Sequence, residues 1–157
     1  MNIRNATPAD AAAACTVLQA SITELCLADH RNDPTILASW LANKTPEIVA
    51  GWATEPGNSL LLAVEGDAIL AVGAVRDSGE ITLNYVNPSA QFRGVSTALL
   101  AALEARAAER GNTRCTLTST ETAHRFYLSR GYVDHGTPRG KFGTNSSYPM
   151  IKQISRV

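Results

Sequence analysis

The chain has 157 residues, 45% of them hydrophobic and 18% charged, with 14 Lys/Arg against 14 Asp/Glu. That length and balance fit one soluble domain spanning residues 1–157 that buries about two-thirds of its unfolded surface, and they exclude a disordered chain or a strongly basic nucleic-acid binder. The charge is nonetheless uneven: residues 1–78 carry four Lys/Arg against nine Asp/Glu, and residues 79–157 carry ten against five. Either two faces are differently solvated, or a basic half meets an anionic ligand while an acidic half attracts a cation.

The opening MNIRNATPAD lacks the basic start, apolar core and small-residue cleavage site of a secretory signal, and no apolar run approaches 18 residues. The expectation is a cytoplasmic protein with no membrane or nucleic-acid partner. Cys15, Cys26 and Cys115 are odd in number and form no C-x-x-C, and His30, His124 and His135 are scattered. They predict reduced structural thiols and no metal site.

In chain order, residues 2–5 read as a short strand, and Thr7-Pro8-Ala9-Asp10 is a capping box with proline at the first helical position. A helix is predicted from there to about residue 28, with Ala14, Leu18, Ile22 and Leu25 as its buried stripe. Asp33-Pro34 and Thr45-Pro46 repeat the start signal ahead of Ile36, Leu37, Trp40 and Leu41, then Ile48, Val49 and Trp52, giving two more short helices. Trp40 and Trp52 read as core residues or as the lining of an acceptor pocket. SLLLAVE and AILAVGAVR flank a Gly66-Asp67 hairpin turn, and Asp77-Ser78-Gly79 leads into EITLNYV, an antiparallel meander.

A helix follows from about residue 93, ending at Gly111 as its C′ glycine. RCTLT (114–118) is the next strand, parallel to EITLNYV because a helix joins them. Thr118 and Glu121 form a further capping-box pattern before a helix ending at Gly131. YVDHG and SSYPMIKQI are the last two strands, joined by the polar loop GTPRGKFGTN.

The stretch VNPSAQFRGVSTALL, residues 86–100, carries the functional signal. It joins a strand to a helix whose first turn has unpaired N–H groups and about half a positive charge, so it is suited to an anion. Gly94 lets a ligand approach the backbone, and Ser96 adds a small hydroxyl donor. No G-x-G-x-x-G and no G-x-x-x-x-G-K-[ST] is present, so neither a dinucleotide fingerprint nor a P-loop is supported.

Gln91, Arg93, Gly94 and Ser96, in the pattern Q-x-x-G-x-S after Val86 and Pro88, resemble motif A of the GNAT superfamily of acyl-CoA-dependent N-acyltransferases. STETAHRFYLSRGY, residues 119–132, is similar to that superfamily's later helix, with Ala123, Phe126-Tyr127 and Gly131-Tyr132. The resemblance covers roughly residues 1–154. It implies an α+β fold: a six- or seven-stranded mixed sheet, splayed beside motif A and flanked by about four to five helices.

It also implies acetyl-CoA as cosubstrate and a primary amine of a small molecule or protein as acceptor, by direct transfer without a metal. Backbone groups of Asn84, Tyr85 and Val86 would pair with the pantetheine arm. Gln91, Phe92, Arg93, Gly94, Val95, Ser96 and Thr97 would wrap the pyrophosphate, and Ser119, Thr120 and Ala123 would complete the cofactor side. Three positions depart from the common pattern: Ser96 replaces Gly or Ala, Thr97 supplies no positive charge, and Thr120 replaces an asparagine.

Acyl transfer from a thioester needs a proton removed from the amine and one given to the thiolate. The family's tyrosine at the F-Y position carries the acid role to Tyr127. Glu80, eleven residues before Gln91, stands where some members place a base; solvent or a water chain is the alternative. The acid that other members use twelve residues before the tyrosine is Cys115 here.

For the acceptor, Asp29, Asp33 and Glu47 are candidates to attract an ammonium, and Arg139 and Lys141 to hold a carboxylate. The rival reading is a non-catalytic acyl-CoA-binding or protein-interaction module on the same fold. A homodimer is common in such families.

Overall fold

A computed structural model describes residues 1–140, 142 and 147–154. Lys141 and residues 143–146 of the late loop, together with 155–157, lie outside the described residues. Seven strands form one mixed sheet: β1 (Asn2–Asn5), β2 (Asn58–Glu65), β3 (Ala68–Arg76), β4 (Glu80–Val86), β5 (Arg114–Thr120), β6 (Val133–Asp134) and β7 (Ser147–Gln153). Their order is β1-β2-β3-β4-β5-β7-β6. All neighbours are antiparallel except β4 and β5, which run parallel as the helical crossover requires.

The helices are α1 (Ala11–Leu25), α2 (Leu27–His30), α3 (Pro34–Leu41), α4 (Pro46–Thr54), α5 (Val95–Glu109) and α6 (His124–Ser129). The sheet buries both faces. One packs Leu60, Leu62, Val72 and Leu83 against Ala14 and Leu18 of α1 and Val49 of α4. The other packs Val75, Ile81 and Leu117 against Val95, Leu99 and Leu103 of α5. Gly73 brings α5 close, since a Cβ there would lie 2.9 Å from Leu103 Cδ1 and 3.0 Å from Leu99 Cδ2.

Most helix ends follow their local signals. Asp33 Oδ1 accepts the N–H groups of Thr35 and Ile36, at 2.9 and 3.2 Å, and Thr45 Oγ1 accepts that of Ile48 at 3.3 Å. Gly111 and Gly131 both sit at positive φ and close Schellman turns: Asn112 N–H donates to Ala107 C=O, and Tyr132 N–H to Tyr127 C=O, each at 3.1 Å.

Two boundaries differ from expectation. The first long helix does not run to residue 28 but breaks at Cys26. The buried His30 ring reaches back, Nε2 lying 3.0 Å from Ile22 C=O and 3.1 Å from Thr23 C=O. Nδ1 accepts the Asn32 N–H at 2.9 Å, so Nε2 holds the proton and donates. The ring thus caps carbonyls at the end of α1. The second difference is before α6, where Thr118 is a strand residue opposite Pro149. The capping hydroxyl is Thr120 Oγ1, which accepts the Ala123 N–H at 3.1 Å.

Between β3 and β4, Gly79 has φ 89°, and a Cβ there would lie 2.7 Å from the Arg114 carbonyl oxygen. Gly79→Ala combines a left-handed backbone with a clash against an immobile carbonyl, and we expect a loss of about 2 kcal/mol or more. In a thermal melt this corresponds to a Tm fall of roughly 4–8 °C.

Candidate active site

Parallel pairing of β4 with β5 is confined to Glu80 with Thr116 and Ile81 with Leu117. Beyond those pairs the strands part. The cause lies in β4 itself: against β3, Val75 pairs with Ile81 and Ala74 with Leu83, so Thr82 is an extra residue and forms a bulge. Residues 118–120 stay paired with β7 while residues 83–86 stay with β3. A cavity of about 420 Å³ opens in the wedge.

Of the sequence-predicted cofactor residues, all but Arg93 line this cavity: Asn84, Tyr85 and Val86 from β4, Gln91, Phe92, Gly94, Val95, Ser96 and Thr97 from the turn, and Ser119, Thr120, Ala123 and Tyr127 from the far side. Arg93 turns away, and its Nη2 contacts both carboxylate oxygens of Glu65 at 3.1 Å. Glu80 is exposed at the first position of β4 and is not among the lining residues.

The turn fits an anionic group. Gly94 is the N-cap of the 15-residue α5 at φ 76°, and no side chain caps that end. A Cβ on Gly94 would meet nothing within 4 Å, so the space before the free N–H groups is open. Phe92 also has positive φ, 64°, and its side chain is 95% exposed. These residues would hold a pyrophosphate through backbone donors.

Tyr127 is buried in edge-to-face contact with Phe126 and Tyr132, their ring centroids 5.2 and 5.6 Å away. Burial pushes its phenol up to about 12, opposed by a weaker hydrogen-bonding effect of the neighbouring Asn84 amide. Tyr85 is raised further, mainly by burial, and Cys26 is pushed up to about 12 by burial and then by the charge of Asp29. All three therefore enter the site in neutral form. Among the described residues, no Asp, Glu, Lys, Arg or His lines the cavity.

Several contributions were not read from the sequence. Ser21, Leu25 and Cys26 of the α1 end close one wall. Asp29, predicted only as an ammonium attractor, is buried. Its Oδ1 accepts the Glu121 N–H at 2.7 Å, and its Oδ2 accepts the Thr122 N–H at 3.1 Å and the Thr122 hydroxyl at 2.5 Å. It therefore fixes the turn leading into α6 and Tyr127. No local pattern signals a partner 92 residues away.

Trp40 is buried behind the site with Ile22 and Cys26, and it stacks on Phe142 at 6.1 Å. Trp52 is half-buried against the α1 and β2 cluster. Neither tryptophan lines the cavity. Asp33 serves as the α3 cap, Glu47 is exposed in the first turn of α4, and Arg139 is exposed with its N–H paired to Ser147 C=O at 2.9 Å. The three cysteines are free and buried, and no cluster of three metal-ligating side chains occurs among the described residues. No described helix is long and apolar enough to cross a membrane.

The same architecture occurs in known acetyltransferases. A GCN5-related N-acetyltransferase of Rhodopseudomonas palustris is 26% identical, with 98% of this chain and 95% of that one covered at a TM-score of 0.86. The PaiA N-acetyltransferase of Thermoplasma acidophilum, solved in complex with coenzyme A, is 16% identical over 97% and 98% of the two chains, with a TM-score of 0.83. The aminoglycoside 6'-N-acetyltransferase of Enterococcus faecium is 17% identical over 100% and 99%, with a TM-score of 0.67. No curated protein sequence matches the chain. The family model described as an acetyltransferase (GNAT) domain matches residues 33–154, and the chain belongs to that family.

Proposed function

We propose that the protein transfers an acetyl group from acetyl-CoA directly to a primary amine, with Tyr127 as the acid that protonates the departing thiolate. The observation that carries this reading is the convergence, on one cavity, of the uncapped turn at Gly94 and the buried Tyr127. The turn binds the pyrophosphate, and the polar edges of residues 84–86 run along the pantetheine arm. That the fold also serves an aminoglycoside N-acetyltransferase supports an amine as the acceptor.

The amine nitrogen attacks the thioester carbonyl carbon, the C–S bond breaks, and the thiolate takes the Tyr127 phenolic proton. The excess proton on nitrogen leaves through water, and the phenolate is reprotonated from solvent. A phenol near 12 is a reluctant donor to a thiolate whose own pKa is about 8.5, a cost of about 5 kcal/mol if transfer were complete before bond breaking. Transfer concerted with C–S cleavage, from a fixed position, offsets it.

With an uncharged lining, the amine is held in its neutral form, and water in the open cleft takes its proton. Glu80 stands on the paired stretch of β4, outside the wedge. Glu80→Gln should therefore leave kcat within about threefold of the native value, well below the 10²-fold or more expected of a general base; a hundredfold loss would assign Glu80 the base role.

Gly94→Glu places a carboxylate in the space before the α5 N–H groups and should abolish acetyl-CoA binding in a calorimetric titration while the fold persists by circular dichroism. Retained affinity would refute the pyrophosphate assignment. Tyr127→Phe should bind acetyl-CoA normally and release CoA, in the presence of small amines, about a hundredfold more slowly. Unchanged turnover would remove Tyr127 from the acid role.

A further inference from the structure

The bulge at Thr82 has a consequence for the side chain two residues on. In a regular strand Ile81 and Leu83 would share a face, with Asn84 on the other. Here Ile81 packs in the cluster beneath α5, whereas Leu83 packs in the cluster beneath α1 and α4. The alternation has turned over. Val86, two residues beyond Asn84, accordingly packs with the α5-side cluster that contains Tyr127, and Tyr85 packs with the opposite one. Asn84 is thereby delivered to the face of the sheet that holds Tyr127, and both line the same cavity.

Packing does not account for an asparagine at this place. Its Oδ1 is buried and, among the described residues, is the one such side-chain atom with no hydrogen-bond partner. An orphaned amide oxygen costs about 1–3 kcal/mol, which an apolar side chain of the same size would avoid.

We propose that Asn84 is a positioning residue for Tyr127. Its side-chain N–H donates to the phenolic oxygen, directs the O–H bond into the wedge, and stabilises the oxygen as the proton leaves. The inference rests on the acid role of Tyr127. When the O–H bond breaks, the proton passes to the thiolate sulfur and the negative charge stays on the phenolic oxygen. The Asn84 N–H then faces a charged acceptor, a stronger bond than one to the neutral phenol. The neighbouring amide already favours the phenolate against burial, which is the direction this role requires.

The test is a double-mutant cycle on the full chain. CoA release from acetyl-CoA is measured with hydroxylamine, a small nucleophile that is uncharged near neutral pH, using Asn84→Leu, Tyr127→Phe and the pair; Asn84→Ala serves if the leucine variant does not fold. We expect Asn84→Leu to lower kcat about ten- to a hundredfold, the range for a hydrogen bond to a charged group, with little change in KM for acetyl-CoA. In the Tyr127→Phe background the same change should have less than about a threefold effect, because the group it acts on is gone.

Equal losses in both backgrounds, or a loss confined to KM, would overturn the proposal while leaving Tyr127 as the acid. Native kcat in Asn84→Leu beside a slow Tyr127→Phe would do the same. If Tyr127→Phe is itself as fast as the native chain, or the native chain gives no acceleration, the acid role falls and this inference with it.

Discussion

The extra residue at Thr82 is the constraint on which the site depends. A parallel pair of strands holds together only while both ladders keep step, and one unpaired residue in β4 ends the step after Ile81. β3 holds one strand and β7 the other, so the two cannot close again. The resulting wedge exposes strand edges that would be an aggregation hazard on the outside of a sheet. Here helices and the turn at Gly94 enclose them, and the parted strands face a cavity.

Keeping such a wedge open requires its walls to be tied elsewhere. Asp29 does this on one side, accepting three hydrogen bonds from residues 121 and 122. On the other side, Glu104 of α5 accepts the Tyr132 hydroxyl at 2.8 Å and two contacts from Lys152 Nζ at 3.0 and 3.1 Å, joining α5, the end of α6 and β7. Each carboxylate is held by several donors, the condition under which a buried charge is tolerated. The Tyr127 ring is thus framed by contacts that reach both ends of the chain.

Much of this was legible in the sequence because it is local. Asp33, Thr45, Gly111 and Gly131 act on backbone groups within a few residues, and their roles follow from side-chain chemistry alone. The meander and the strand–turn–helix around Gly94 likewise carry their pattern within about fifteen residues. What was not legible depends on distant partners. The break at Cys26 follows from a histidine ring that turns back on the preceding helix, and the placement of α6 depends on Asp29. The bulge leaves no mark in EITLNYV, whose alternation reads as regular, so the direction of the Asn84 side chain is not visible in the strand pattern. The direction of the Arg93 side chain is hidden for a similar reason, since Glu65 reaches it from the end of another strand.

Gly73, finally, sets a height. By letting Leu99 and Leu103 rest directly on β3, it fixes how far the axis of α5 stands above the sheet. The uncapped start of that helix, one to two turns away, inherits the same elevation. The thickness of the layer beneath α5 and the height of the Gly94 amides above the sheet are therefore a single dimension, and repacking Leu99 or Leu103 shifts that turn relative to Tyr127 although neither leucine borders the cleft.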